Sequence, residues 1–136
     1  MTTELPLPDP VRARGFFRDV LEFTTGPIEL DHRIQAHADI NIVDVRDAED
    51  YAKGHIPGAI SLPRGQWGTF AGLFRDKPNV LCCYTQTCHL AAEAALLFAR
   101  NGYPVMELKG GFAEWQRARL KVEHVPSFAK RLQKAA

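Results

Sequence analysis

A short apolar run, Val80-Leu81-Cys82-Cys83, passes through a small polar loop, Tyr84-Thr85-Gln86-Thr87-Cys88-His89, into an alanine- and leucine-rich segment that runs from Leu90 to Phe98. The order strand, tight loop, helix constrains this chain more than any other feature in it. The first N–H groups of a helix have no intrahelical partner and point back into the preceding loop, with the positive end of the helix dipole behind them. A thiol held there is pushed toward thiolate, from a pKa of roughly 8.5 for free cysteine into a range of roughly 3.5–7.5. The stretch therefore predicts a nucleophile cradle. Strand alternation turns Cys82 and Cys83 to opposite faces. Cys82 reads as a small core residue, and Cys83, at the strand end, as the reactive thiol. For Cys88 a reactive and a structural role weigh equally.

The rest of the chain supplies the scaffold. Asp9-Pro10 is a helix start, with Asp as N-cap and Pro in the first helical position. Ala13, Phe16, Phe17, Val20 and Leu21 then recur at spacings of three and four, giving an apolar stripe that is expected to pack on its own domain rather than on a partner. Thr24-Thr25-Gly26-Pro27 reads as a linker. Ile40 to Val45, Ala59 to Leu62 and Val105 to Leu108 read as further short strands, and Asp47 to Lys53 as a turn or two of helix. Gly102 closes the helix that follows the cysteines, and Gly110-Gly111 opens a last one carrying Phe112 and Trp115. Strands alternating with helices through short loops predict an α/β domain with a parallel sheet covered on both faces. Ligands of such sheets bind beyond the C-terminal strand ends. The loops after Val45, Leu62, Tyr84 and Leu108 lie there, and Arg64 and Lys109, which follow two of these strands, start on the same edge as Cys83.

Charge and cysteine usage narrow the function classes. The 17 Lys and Arg nearly cancel the 16 Asp and Glu in a chain of 136 residues, so neither a nucleic-acid surface nor a membrane surface is expected. Lys130, Arg131 and Lys134 read as a solvated basic tail. Three cysteines are too few and too odd in number for a disulfide framework and fit a reducing compartment. Without a membrane-spanning run or a signal-peptide pattern, the expected location is the cytoplasm. Neither metal nor cofactor is expected.

Two separated motifs carry a family resemblance. Asp44-Val45-Arg46, with Glu49, Tyr51 and then Gly54-His55-Ile56-Pro57-Gly58-Ala59, is followed far downstream by Gly110-Gly111-Phe112-Ala113-Glu114-Trp115. The pair, in this order, resembles the flanking signature of rhodanese-like domains. The resemblance implies a doubly wound parallel sheet of about five strands with helices on both faces. It divides the chain into an N-terminal helical arm and linker (1–26), the rhodanese-like domain (27–122) and a basic C-terminal tail (123–136). It also implies a sulfurtransferase: a cysteine takes sulfur from thiosulfate or a similar sulfane donor and passes it to cyanide, a small thiol or a protein thiol. Asp44 and Arg46 are expected to form an ion pair that fixes the first loop, His55 to be a hydrogen-bonded structural residue, and Phe112 and Trp115 to be core.

The active-site loop departs from the commonest pattern of the family. Counting back from Gly102-Tyr103 without a gap puts Thr85 at the nucleophile position, which would mean an inactive domain. A loop longer by two residues instead puts Cys83 at the strand end and Cys88 just before the helix, and so resembles a smaller branch with a cysteine at both places. On that alignment Cys83 is the expected catalytic residue and Cys88 a candidate resolving thiol. Tyr84, Thr85, Gln86, Thr87 and His89 line the loop, and Arg64 or Lys109 binds the anionic end of the donor. A non-catalytic sulfur-relay or redox-sensing module is the alternative. A phosphatase or arsenate reductase is disfavoured, because the stretch from Cys83 to His89 lacks the arginine fork that holds a tetrahedral dianion.

Overall fold

The apolar run that ends at the cysteines is the middle strand of a five-stranded sheet. The computed structural model describes residues 3–126. In it, β1 (Thr24–Thr25), β2 (Asn41–Asp44), β3 (Ile60–Ser61), β4 (Asn79–Cys82) and β5 (Val105–Leu108) pair in parallel throughout, in the order β1-β5-β4-β2-β3. The helices are α1 (Pro10–Phe23), α2 (Pro27–Gln35), α3 (Ala48–Lys53), α4 (Leu90–Arg100) and α5 (Gly111–Arg117), with a 3₁₀ turn over Arg64–Thr69. The period-2 geometry of strands sorts the core into two layers. Ile42, Val80 and Cys82 pack with Leu30 of α2 and with Phe112 and Trp115 of α5. Val43, Leu81 and Cys83 pack on the other face with Ala91, Ala94 and Phe98 of α4. Cys82 and Cys83 thus lie on opposite faces, as their alternation requires. Phe112 and Trp115 are core residues.

Three stretches differ from the sequence reading. Thr24-Thr25 is an edge strand and not a linker: Thr24 and Thr25 sit opposite Glu107 and Leu108, and Thr25 O accepts the Lys109 amide at 2.9 Å. Two residues are too few to display alternation, so only the exposed edge of β5 reveals the pairing. Pro27 is not a breaker but the first residue of α2, a position where its missing N–H costs nothing. At the other end, the chain from Glu123 to Val125 is tied to the domain. His55 and Glu123 exchange backbone hydrogen bonds at 2.8 and 2.9 Å, and the Val125 amide donates to Ala52 O at 2.9 Å. Lys130, Arg131 and Lys134 of the expected tail lie outside the described residues. Among the described residues, no helix is long and apolar enough to cross a membrane.

The arm helix α1 begins as expected, with Asp9 Oδ1 accepting the Val11 amide at 3.0 Å. Its apolar stripe does not pack on the domain as expected. Phe16, Phe17 and Leu21 are 60%, 57% and 79% exposed, and no residue of α1 is buried. The last turn of the helix leads into β1 at the edge of the sheet, and the preceding turns carry their stripe in solvent. Fully burying a phenylalanine is worth about 1.5–3 kcal/mol, whereas a surface substitution changes stability by about 0.5 kcal/mol or less. The double substitution Phe16→Ser/Phe17→Ser is therefore expected to leave the urea midpoint of the monomer nearly unchanged. A midpoint lowered by the equivalent of a buried phenylalanine would show that the arm folds back on the domain.

Candidate active site

The position of the loop is set from both ends. At the start of β4, the buried Asn79 side chain donates to Phe74 O (2.7 Å) and Pro104 O (2.9 Å), while its Oδ1 accepts from the Phe74 amide (3.0 Å) and Asn41 Nδ2 (2.9 Å). All of its amide capacity is satisfied, as burial demands. At the other end of the strand, the loop is clasped by the N-terminus of α5. The Phe112 amide donates to Cys83 O at 2.8 Å and the Ala113 amide to Tyr84 O at 3.0 Å. This approach needs Gly111. Its φ is +61°, and a Cβ there would lie 2.6 Å from Cys83 O and 2.9 Å from the Thr85 nitrogen. Tyr84 then anchors the loop sideways: its hydroxyl donates to Asp50 Oδ2 at 2.6 Å and accepts from the Asp47 amide at 3.1 Å. Burial and the Asp50 carboxylate raise the Tyr84 pKa to about 12, so it stays a neutral donor.

Helix α4 has no side-chain N-cap, and its free amides are directed at sulfur instead. The Leu90 amide donates to Cys88 Sγ at 3.4 Å. Cys83 is buried at 1% exposure, with its Sγ 3.6 Å from Thr85 O and 3.7 Å from Cys88 O. The two side chains lie near enough for each to affect the ionisation of the other. Burial pushes the Cys83 thiol up to about 11, the amides of Ala91 and Thr85 offsetting it in part and the bond to Cys88 adding to it. Burial also opposes ionisation of the half-buried Cys88, but the Leu90, Tyr84 and Thr85 amides and the proton offered by Cys83 outweigh it and lower its pKa. Of the two thiols, Cys88 is therefore the more readily ionised and Cys83 the one that burial keeps protonated. The sequence reading put the lowered pKa at the strand end, on Cys83; burial instead raises Cys83, and the amides at the start of α4 lower Cys88. The third thiol, Cys82, is kept protonated by burial and by the nearby Asp44 carboxylate.

The remaining predicted residues divide into two groups. Thr85, Gln86, Thr87 and His89 are exposed on the loop beside the sulfurs, with the Thr85 and Thr87 hydroxyls 3.3 Å apart. Arg64 is drawn to the first turn of α4, where it pairs with Glu93, and its guanidinium lies 5.2 Å from the centre of the Trp67 ring. Lys109 is exposed, close enough to Glu107 to offset, with His89, the rise that burial imposes on that carboxyl. Arg46 and Asp44 form the expected buried ion pair at 2.7 Å, and His55 Nδ1 bonds Tyr51 O at 2.8 Å. A cavity of about 330 Å³ opens beside the loop, lined by Arg46, Lys53, Tyr84, Thr85, Phe112 and Gln116. Sequence reasoning missed Asp50 as the anchor of Tyr84 and Gly111 as the point of closest approach. The Gly110-Gly111 pair was the one signal available for the second. Among the described residues, no three His, Cys, Asp or Glu side chains are grouped to hold a metal ion.

Comparison with known proteins adds an independent finding. The family model for the Rhodanese-like domain matches residues 27–118. The thiosulfate sulfurtransferase GlpE of Shewanella oneidensis is 35% identical over 81 residues, covering 58% of this chain and 78% of that protein. An HTH-type transcriptional regulator of Mycobacterium tuberculosis is 36% identical over 96 residues, 70% of this chain; the chain spans 42% of the regulator's length. A solved structure from Bacillus halodurans superposes with a TM-score of 0.79 at 34% identity, covering 86% of this chain and 88% of that one.

Two outcomes follow from the site geometry. Because Gly111 holds a left-handed backbone against the loop, Gly111→Ala is expected to destabilise the fold by about 1–3 kcal/mol or more, and a denaturant melt with an unchanged midpoint would contradict the contact. Iodoacetamide reacts with thiolate, so peptide mapping across a pH series should find Cys88 alkylated at lower pH than Cys83. Cys83 should resist alkylation until the pH approaches about 11; the opposite order would contradict the effect of burial on Cys83 and of the amides on Cys88.

Proposed function

This chain belongs to the rhodanese-like domain family, and from that premise we propose that it is a sulfurtransferase of the branch with a longer, two-cysteine loop. A loop thiolate attacks the outer sulfur of thiosulfate or a similar sulfane donor, sulfite departs with the bonding electron pair, and the enzyme is left with a cysteine persulfide. A thiophilic acceptor, cyanide or a small or protein thiol, then removes the sulfur and restores the thiolate. The observation that carries the reading is the cradle itself: the amides of Tyr84, Thr85, Leu90 and Ala91 converge on the two loop sulfurs and favour their ionised forms. Backbone donors aimed at developing negative charge are the strongest single device such a site has. The persulfide anion needs the same donors as the thiolate it replaces, so the loop need not rearrange during transfer. The similarity to GlpE sulfurtransferase points the same way.

Anion binding at the donor's far end falls to Lys109, since the guanidinium of Arg64 is engaged by Glu93. The reaction suits a reducing compartment, and we assign the protein to the cytoplasm. A second reading, a sulfur- or redox-sensing module, draws on the likeness to the HTH-type regulator and on the same thiol pair.

The test of transfer is direct. Reduced protein mixed with thiosulfate should release one sulfite per chain and gain the mass of one sulfur atom, then lose that sulfur to cyanide as thiocyanate. A chain that forms no persulfide and no thiocyanate is not a transferase, and only the sensing reading would stand. In the steady state, removing one exposed charge contact is worth about 0.2–1 kcal/mol, so Lys109→Ala should raise the half-saturating thiosulfate concentration by roughly 1.4- to 5-fold. Arg64→Ala should raise it less; a larger effect for Arg64 would exchange the two roles.

A further inference from the structure

We propose that the two loop cysteines make this domain a persulfide reductase as well as a transferase: Cys88 takes the incoming sulfur, and Cys83, lying behind it, expels that sulfur as hydrosulfide by closing a Cys83–Cys88 disulfide. The inference rests on the sulfurtransferase reading for its first half-reaction and on the geometry of the pair for its second.

The order of events follows from access. Cys88 is half-exposed at the mouth of the loop, and Cys83 is buried beneath it at 1% exposure. A donor arriving from solvent therefore meets Cys88 first. The turn over Thr85–Cys88, closed by the Cys88 amide on Thr85 O at 3.2 Å, folds the chain back over Cys83. This turn brings Cys88 O within 3.7 Å of Cys83 Sγ, so the two residues are in direct contact. The start of α4 meets both residues, through the Leu90 amide on Cys88 Sγ at 3.4 Å and through Ala91, which packs in the same core layer as Cys83. Once sulfur is added to Cys88, the Cys88 Sγ itself is the atom that Cys83 attacks, across the contact between the two residues.

The step balances without an outside oxidant. Cys88–S⁻ and thiosulfate give Cys88–S–S⁻ and sulfite. The proton of Cys83 passes to the outer sulfur as the Cys83 sulfur attacks that of Cys88 as thiolate: the S–S bond to the outer sulfur breaks, the bond between the two cysteines forms, and the outer sulfur leaves as HS⁻. Two thiol sulfurs are oxidised to the disulfide and one sulfane sulfur is reduced to sulfide. A dithiol reductant reopens the disulfide by ordinary exchange. In a loop with a single cysteine, the persulfide would wait for an acceptor; here the acceptor is built in. An external thiol and Cys83 then compete for the same persulfide, so transfer dominates when acceptor is abundant and sulfide release when it is scarce.

The experiment separates the two halves. Reduced wild-type protein is loaded with thiosulfate, the donor is removed by desalting, and sulfite, sulfide and intact mass are followed in time without added thiol. The expected course is one sulfite per chain, followed by one sulfide per chain and a final mass lower than the reduced protein by two hydrogens, with the Cys83 and Cys88 peptides linked. Cys83→Ser and Cys83→Ala should still release sulfite but retain the added sulfur on Cys88, with sulfide release reduced at least tenfold. Cys88→Ser should lose at least tenfold in the rate of the sulfite burst while keeping the wild-type circular dichroism. A wild-type protein that holds its persulfide indefinitely, or a Cys83→Ala variant that releases sulfide at the wild-type rate, overturns the inference and leaves transfer intact. A Cys88→Ser variant that loads at full speed overturns the assigned order. Absence of any sulfite burst removes the sulfurtransferase reading instead, and the pair is then judged alone. Diamide oxidation of the reduced wild-type chain must close the Cys83–Cys88 disulfide within the monomer, and failure to do so overturns the inference whatever the donor result.

Discussion

The clasp between the start of α5 and the end of β4 is the contact on which the site depends. Two amides of α5, those of Phe112 and Ala113, take the carbonyls of Cys83 and Tyr84, the residues at which the chain leaves the sheet. Those carbonyls have no ladder partner beyond the end of the strand, and buried carbonyls are seldom left unpaired. Pairing them with helix amides fixes the direction in which the loop departs. It also turns the amides of Tyr84 and Thr85 toward Cys88. The contact is possible only because Gly111 has no side chain, since any Cβ would overlap the loop backbone. The cradle is thus a property of two segments almost thirty residues apart in sequence, and not of the loop alone.

Around the clasp stands a frame of buried polar groups. Arg46 is held bidentately by Asp44, donates to Gly54 O at 2.7 Å and lies 4.1 Å from the centre of the Phe112 ring, joining β2, the Gly54 turn and α5. A buried ion pair of this kind is a weak source of net stability, because desolvation offsets most of the attraction. Its effect here is positional: loss of either partner would strand a charge between the two elements that carry the clasp. Tyr51 and His55 add a stacked pair with ring centres 3.8 Å apart, and the Tyr51 hydroxyl donates to Ala59 O at 2.6 Å. The Gly-His-Ile-Pro-Gly motif is therefore architecture, which explains its presence without giving His55 a role as a base.

At the sulfurs, two effects compete. Burial in a low dielectric disfavours any thiolate, and hydrogen bonds to the charged form favour it. For Cys83 burial prevails, because its side chain points into the layer shared with α4 and meets few donors. For Cys88 the balance tips the other way, because the unpaired amide at the start of α4 and two loop amides reach it together with the Cys83 thiol. The two shifts are linked: a neutral Cys83 beside Cys88 favours ionisation of Cys88, and Cys88 in turn disfavours ionisation of Cys83.

Much of this was legible in the amino-acid sequence. The alternation of short β-branched runs with helical stretches determined the parallel sheet, and Val80 to Phe98 determined that thiols would stand where a strand feeds a helix. Asp44 with Arg46, His55, Phe112 and Trp115 were all readable as structural, since each belongs to a local pattern with a local consequence. The short edge strand Thr24–Thr25 was not readable, because its identity lies in the vacant edge of β5 rather than in two threonines. The exposure of Phe16 and Phe17 was not readable either: periodicity shows that a helix has an apolar face but not where that face is directed. Which loop cysteine ionises more readily, above all, was a tertiary decision. Sequence spacing brings Cys83 and Cys88 into one loop, but proton position depends on burial depth and on the direction of amides, and α5 sets both by gripping the loop from across the sheet.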